Sequence, residues 1–448
     1  MLPRAAQSTM AAAMRRSSRV LLVLAATTSA LAPLPSHARR GPPPRAAAPL
    51  QASGGAAAPA EAPRRLLVML SLGYGGSMFA FRPTLMIVLP ALLKSLRLSE
   101  ADGGALLSTC QLSYMVAKPL SQAASDGVDA RLLLVASEVA TGACFCLLAL
   151  ATTRLHLRVL FALIMAFQAP HVPAAARIIT TRYAAAKRGK PFSTINAAAN
   201  LASCAVPLVV TRAVARFGFR ALFLAVGGFC ALLPLVQYAS IAEGDVAAPA
   251  AAAAPAPGLG GVLRSRVVWL LGLCYALLYF VRMGVEGWVG TFAPGCVGRF
   301  LFFWQVGGVV GSTAAGPLSD RRGGDPAPLG VAFAAALLAF ALAFRVVGDG
   351  AHPLIVAAVA SLGGAAAYGA RVLNVLTTRA EVDARSCGKA DAVTNALAEC
   401  GGAVAGLPLI ALVQRAGWAA YPRTLAAAAA ALVAAHVALA AECRRDAP

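Results

Sequence analysis

Charged residues are scarce in this chain, and acidic residues are the scarcest. Only 13% of the 448 residues are charged, with 18 Asp and Glu against 39 Lys and Arg, while 59% are hydrophobic. A typical soluble domain carries about 25% charged residues, so the composition excludes an ordinary soluble protein. Together with a mean hydropathy of +0.72, it predicts a multi-span membrane protein.

The sequence also lacks a domain suited to nucleic acid, despite a net charge of +21. Its basic residues lie in the N-terminal region and in short segments between apolar runs, and no soluble basic domain with interleaved aromatic residues is present. Basic segments between spans are the pattern that sets membrane topology. We therefore expect the lipid bilayer as a partner and no nucleic acid.

Metal-binding and catalytic patterns are absent as well. The ten cysteines and five histidines are dispersed, with no spacing typical of a metal site or a redox pair. No Walker motif is present, and no stretch combines a nucleophile, a base and an orienting group. The sequence predicts no metal, no cofactor and no catalytic residue, and thus no enzyme.

Residues 1–62 have the layout of a targeting region. Arg15, Arg16 and Arg19 precede VLLVLAATTSALA, which is too short to span a bilayer and ends in small residues, as a cleavable signal does. The segment after it is rich in Arg, Ala and Pro and contains one acidic residue, Glu61, as transit peptides do. The prediction is a cleavable signal plus a transit-like region; a secretory signal followed by a disordered arm is the alternative.

The junction TSALAP resembles the ASAFAP motif at the signal cleavage site of plastid precursors in algae with secondary red plastids. Leu31 stands where Phe is usual. The resemblance implies the plastid envelope of such an alga, and the endomembrane system or the plasma membrane is the alternative.

The rest of the chain is a series of apolar runs, each about 20 residues long, the length needed to cross the hydrocarbon core as a helix. They divide at an Ala/Pro-rich linker, residues 242–264, into six-helix halves at 63–241 and 265–441, followed by a short tail, 442–448. The prediction is an all-α membrane protein with about twelve transmembrane helices. Arg and Lys are more numerous on the side of both termini, which predicts cytosolic, or stromal, termini.

Each half carries an arginine inside the apolar run of its first span. Arg82 lies in GYGGSMFAFRPTLMIVLP and Arg282 in LCYALLYFVRMGVEGWVG. A charge near the bilayer centre costs on the order of 3 kcal/mol, so it survives where it faces a water-filled cavity, a partner or a ligand. The two arginines indicate one central anion site.

The halves also repeat a motif at the end of their second spans. KPLSQAASD ends at Asp126 and GSTAAGPLSD ends at Asp320, and an arginine follows each, five residues after Asp126 and directly after Asp320. Duplicated halves with a site at the midplane are the architecture of major facilitators.

On these residues, the chain resembles the organophosphate:phosphate antiporter family of the major facilitator superfamily, which includes glycerol-3-phosphate and hexose-phosphate exchangers. The resemblance extends from Gly73 to Ala441. The residues that carry it are Arg82, Pro90, Tyr114, Lys118, Asp126, Pro173, Arg177, Lys187 to Gly189, Tyr279, Arg282 and Trp288.

The resemblance implies a major facilitator fold and exchange of inorganic phosphate for a sugar phosphate or glycerol 3-phosphate by alternating access. It implies that Arg82 and Arg282 bind the phosphate, and a guanidinium offers paired donors that suit phosphate oxygens. The residues that it places along the substrate path are Lys118, Tyr279, Tyr368 and Tyr74. For Lys118 the alternative is an intramembrane salt bridge or a snorkelling side chain; for the tyrosines it is packing or the membrane interface.

The remaining candidates concern gating and coupling. Asp126, Asp320 and Arg321 are expected to form gate ion pairs, and solvated helix ends are the alternative. Candidate counter-ions or proton carriers are Glu286, one turn after Arg282, Glu399, where the family has a tyrosine, and Asp391.

Two alternative functions stay open. One is a proton-coupled transporter of another organic anion, and the other is a non-transporting sensor of the same fold. In each case, we expect a monomer that binds a small anion.

Overall fold

A computed structural model describes most of the chain. The described residues are 64–77, 82–183, 189–240, 259–322, 325–348, 350–382 and 386–445. They belong to one compact unit, residues 58–448, and form helices and no β-strand. The predicted targeting region, 1–62, lies outside them.

The first half contains six crossings. The apolar runs form helices because a helix satisfies its own backbone groups where lipid cannot. The helices are α1 (Arg64–Ser77), α2 (Arg82–Ser95), α3 (Glu100–Gly127), α4 (Ala130–Leu148), α5 (Arg154–Gln168), α6 (His171–Arg182) and α7 (Gly189–Ser240). The first crossing consists of α1 and α2, and the fourth consists of α5 and α6.

Helix α7 has 52 residues and makes two crossings. Gly218 divides it, with φ 79° and ψ 164°. A positive φ is the left-handed region that glycine adopts without steric cost, so this residue supplies the reversal of direction between the fifth and sixth crossings.

The second half repeats the arrangement. Its helices are α8 (Leu259–Arg264), α9 (Arg266–Phe292), α10 (Val297–Arg321), α11 (Ala327–Ala343), α12 (Pro353–Glu381), α13 (Cys387–Val404), α14 (Leu407–Ala416) and α15 (Ala420–Arg445). The eleventh crossing consists of α13 and α14. The short helix α8 falls inside the segment that the sequence predicts as linker.

Among the described residues, nine helical runs are long and apolar enough to cross a membrane. One of them is the doubled helix α7, and two further helices, α3 and α10, complete the bundle although their sequences are more polar. The described helices thus make twelve crossings, which confirms the predicted all-α fold of two six-helix halves. Large apolar side chains such as Leu120, Leu232 and Leu354 are exposed, as expected where helices face lipid.

Within the second half, small residues allow helix backbones to touch. A Cβ at Gly307 or Gly311 of α10 would meet the backbone carbonyl of Ser361 or Ala365 on α12. The eighth and tenth crossings therefore pack backbone to backbone, the mode of contact that small residues permit between membrane helices.

The two halves meet along a few helix pairs. Helix α2 packs on α9, α3 on α13 and α14, and α7 on α10. Because successive crossings alternate in direction, the described chain begins at Arg64 and ends at Arg445 on the same face, which we call face A. The opposite face, face B, contains the turns near Ser95 and Phe292.

Candidate functional site

Arg82 is the first residue of α2 and lies between the halves. Its Nη2 donates to Oε2 of Glu399 on α13 over 2.9 Å, and the side chains are only 7% and 5% exposed. The guanidinium also lies over the ring of Tyr114, 4.6 Å from its centroid. Glu399 is thus the counter-ion of Arg82, and the pair joins the first crossing to the eleventh.

Arg282, near the middle of α9, has an equivalent arrangement inside the second half. Its Nε donates to Oε1 of Glu286 over 2.9 Å, and its Nη2 donates to the hydroxyl of Tyr368 over 2.8 Å. The guanidinium lies 4.3 Å from the ring centroid of Tyr368 and 5.7 Å from that of Tyr279. Glu286 thus forms an ion pair with Arg282 across one turn of α9.

Two further hydrogen bonds connect this cluster to α10. Trp304 Nε1 donates to Glu286 Oε1 over 2.9 Å, and the Tyr368 hydroxyl donates to Gln305 Oε1 over 2.9 Å. Removing one partner of either buried pair would leave an uncompensated charge, so both partners are expected to contribute to stability.

A cavity of about 130 Å³ lies beside the pair of Arg82 with Glu399, between α3 and α13. It is lined by Met115, Lys118, Pro119, Gly388, Asp391, Ala392, Asn395, Ala396 and Glu399. Lys118 Nζ donates to Asn395 Oδ1 over 3.1 Å, and Asp391 pairs with Arg379 over 2.6 Å. Since these residues lie toward the end of α3 and the start of α13, the cavity is on the face A side.

Toward face B, the halves are in direct contact. Ser108 Oγ donates to the Ala403 carbonyl over 2.7 Å and accepts from the Leu407 N–H over 2.9 Å. At Gly287, a Cβ would lie 2.8 Å from Leu107 Cδ1. The described conformation is therefore closed at face B.

Comparison with known proteins establishes the family. A family model described as Major Facilitator Superfamily matches residues 66–406. The chain belongs to the Major Facilitator Superfamily. The curated relatives of this facilitator include proteins named for hexose phosphate transport, in agreement with the resemblance carried by its arginine and tyrosine motifs.

Membrane sensor protein UhpC of Escherichia coli is 27% identical to this facilitator over 308 residues, 61% of this chain and 69% of that protein. A Chlamydia muridarum protein named "Probable hexose phosphate transport protein" is 24% identical over 409 residues, 79% of this chain and 86% of that protein. None of these names describes an enzyme.

Solved structures share the fold of this facilitator. A bacterial homologue of the human lysosomal transporter Spinster, solved in an inward-facing and unoccupied conformation, matches with a TM-score of 0.65 and 16% identity, covering 85% of this chain and 96% of that one. The nucleoside transporter NupG matches with a TM-score of 0.68 and 13% identity, covering 84% and 98%. At these identities, the likeness establishes the fold alone.

The structure brings most of the predicted site residues together. Two of the predicted arginines form ion pairs, Arg82 with Glu399 and Arg282 with Glu286. The cavity is lined by Lys118 and Asp391. Tyr279 and Tyr368 flank Arg282.

Tyr74 and the gate residues are placed differently. The ring of Tyr74 lies 5.2 Å from that of His171, whose Nδ1 is 2.9 Å from Glu138 Oε1. Asp320 and Arg321 are exposed at the face A end of α10, and Asp320 forms no ion pair within the described residues. The side chain of Asp126 lies outside the described part, so the gate stays a prediction.

The sequence interpretation missed Asn395, Gln305 and the buried pair of Glu138 with His171. It also missed Arg371 on α12, which lies three residues after Tyr368 in an otherwise apolar run. For Gln305, Glu138 and Arg371, the available signal was a polar residue inside an apolar run, the same signal that identified Arg82. Asn395 lies in a more polar segment and gave no such signal.

Proposed function

We propose that this facilitator exchanges inorganic phosphate for a sugar phosphate or a related organic phosphate by alternating access. The observation that carries the proposal is the matched pair of mid-span arginines, one in each half, each bonded to a carboxylate and lying over a tyrosine ring. The name of the chlamydial relative adds support for a hexose phosphate.

The internal carboxylates fit this role. When no anion is bound, Glu399 and Glu286 keep the two guanidinium charges paired in a region where an unpaired charge is costly. A phosphate between the halves would take the place of one or both carboxylates, since a guanidinium binds phosphate oxygens with the same paired geometry. Substrate binding would thereby loosen the Arg82 to Glu399 link between the halves and allow them to rock.

The test is transport into liposomes. Purified protein in vesicles preloaded with phosphate is offered labelled sugar phosphates, three-carbon phosphates and dicarboxylates. Uptake of an organic phosphate that needs internal phosphate supports exchange. Uptake of none of them into loaded vesicles would overturn the proposal.

Proton-coupled transport of another organic anion is the second candidate. The buried pair of Arg82 with Glu399 favours it, because protonation of that carboxyl would release the arginine and weaken the bond between the halves. Uptake without an internal counter-substrate that depends on a pH gradient would identify this mechanism. Binding without any transport would instead favour a sensor, the activity that the name of UhpC describes.

We further propose that the facilitator acts as a monomer in the plastid envelope of an alga with a secondary plastid. The support is the order of a signal-like run and an acid-poor Arg/Pro segment within residues 1–62. A fluorescent reporter fused behind these residues is expected in the plastid. Retention in the endoplasmic reticulum or arrival at the cell surface would contradict the localisation.

A further inference from the structure

Arg371 is a third arginine in the interior of a membrane-spanning helix. It follows Tyr368 by three residues on α12, so it lies on the same helix face and about 4.5 Å nearer to face A. Tyr368 contacts Arg282, which places this helix face toward the site. Arg371 therefore lies between the Arg282 cluster and the face A side of the protein.

The surroundings of Arg371 differ from those of the other two arginines. Its side chain is exposed, while Ala370 and Leu373 beside it are buried. Within the described residues, it forms no ion pair and no side-chain hydrogen bond, whereas Arg82 and Arg282 each hold a carboxylate. An arginine facing lipid at this depth would be costly, so we expect the exposed surface of Arg371 to border a space inside the protein.

The groups around Arg371 come from both halves. Its charge interacts with Tyr279, Tyr275 and Arg282 of α9 and with Lys118 of α3. Tyr74 of α1 also lies within its electrostatic reach. The cavity carboxylates are engaged elsewhere, Glu399 with Arg82 and Asp391 with Arg379. Arg371 and Lys118 thus place two like charges near each other without a carboxylate bonded to either of them.

We propose that Arg371, together with Lys118, binds the phosphate group of the substrate as it enters from face A. An anion between them relieves their repulsion and bonds to a guanidinium that has no internal carboxylate to displace. Arg82 and Arg282 would receive the anion afterwards, because their carboxylates must first move aside. This inference rests on the proposed function, namely that the facilitator carries phosphate or an organic phosphate.

The experiment measures binding of inorganic phosphate to the purified full-length protein, with melting temperature as a check on folding. Arg371→Gln is expected to raise the phosphate Kd about tenfold or more, the loss typical of a hydrogen bond to a charged group. Its melting temperature without phosphate should not fall, because no internal ion pair is lost. Arg371→Lys should recover part of the affinity because it keeps the charge. Arg266→Gln, which removes an exposed arginine at the start of α9, is the matched control and should bind as the wild type does.

The outcomes separate this inference from the proposed function. If the wild type binds neither inorganic phosphate nor a sugar phosphate, the proposed function fails and this inference fails with it. If the wild type binds phosphate and Arg371→Gln binds it equally well, only the role of Arg371 is overturned. Loss of affinity together with a lower melting temperature in both Arg371→Gln and Arg371→Lys would identify a structural residue and would also overturn it.

Discussion

At the scale of single residues, Arg82 and Arg282 are expected to need their guanidinium geometry as well as their charge. Changing either one to Lys should nearly abolish phosphate exchange in liposomes, because an ammonium cannot form the paired bonds of a guanidinium. The double variant should be little worse than either single one, since the two residues act on one anion. Arg266→Lys is the control and should exchange normally. An Arg82→Lys protein that exchanges phosphate at the wild-type rate would remove the central claim.

Glu399 gives a prediction of opposite sign for affinity and stability. Glu399→Gln removes the carboxylate that competes with phosphate for Arg82, so phosphate should bind more tightly. Without phosphate, the protein should lose about 3 to 5 kcal/mol of stability, because a buried guanidinium then lacks its counter-ion. Phosphate affinity and melting temperature with and without phosphate measure both effects.

The control for Glu399 is Glu442→Gln. Glu442 pairs with Arg445, whose side chain is 74% exposed, and such surface pairs contribute about 0 to 1 kcal/mol. This variant should therefore match the wild type in both measurements. Weaker phosphate binding by Glu399→Gln would show that the carboxylate assists binding rather than competing with it.

The sequence allowed part of this residue chemistry to be predicted. Arg82 and Arg282 stand out because a charge in an apolar run is rare, and Glu286 is one helical turn from its partner. The bond from Arg82 to Glu399 joins residues 317 positions apart, and no spacing along the chain indicates it. Arg371 gave the same signal as Arg82 but lay outside the motifs that carry the family resemblance.

At the scale of helices, apolar length was an accurate guide because lipid requires a helix of sufficient length at each crossing. The sequence predicts the second and eighth spans, which are α3 and α10, although their hydropathy alone is too low to identify them as membrane-spanning helices. The breaks within crossings, such as the one between α13 and α14, could not be predicted, because they depend on contacts between helices. The turn at Gly218 is set by one backbone conformation, and Arg216 and Arg220 mark it in the sequence by interrupting the apolar run.

Helix packing gives a prediction with a closely matched control on one helix. In Gly311→Ala, the added Cβ meets the Ala365 carbonyl, so α10 and α12 must move apart. The expected loss of stability is about 1 to 3 kcal/mol, as for other overpacked interiors. Gly316→Ala makes the same change on the same helix where nothing lies within 4 Å of the new Cβ, and its melting temperature should not fall. Equal melting temperatures for the two variants would contradict the backbone-to-backbone packing.

At the scale of the whole molecule, the closed side could not be predicted from the sequence. Alternating access requires that the same chain be stable with its halves closed at face A and with its halves closed at face B. One sequence therefore encodes both arrangements and does not indicate which of them is described. The contacts that close the described arrangement toward face B include those of Ser108 with Ala403 and Leu407, and of Leu107 with Gly287. If the halves rock about the site, these contacts must separate in each transport cycle.

A covalent link across face B should therefore stop transport. We expect Leu107→Cys combined with Gly287→Cys to form a disulfide on mild oxidation, because a Cβ at position 287 lies 2.8 Å from Leu107 Cδ1. The two Cβ atoms are then within about 5 Å of each other, and a small movement brings them to the separation of a disulfide. Oxidised protein in liposomes should lose phosphate exchange, since face B can no longer open, and a reductant should restore it. The two single cysteine variants control for the native cysteines, of which Cys400 is exposed, and should remain active after oxidation. Exchange at the wild-type rate by the fully cross-linked protein would mean that the halves need not separate at these residues, and alternating access through face B would have to be abandoned.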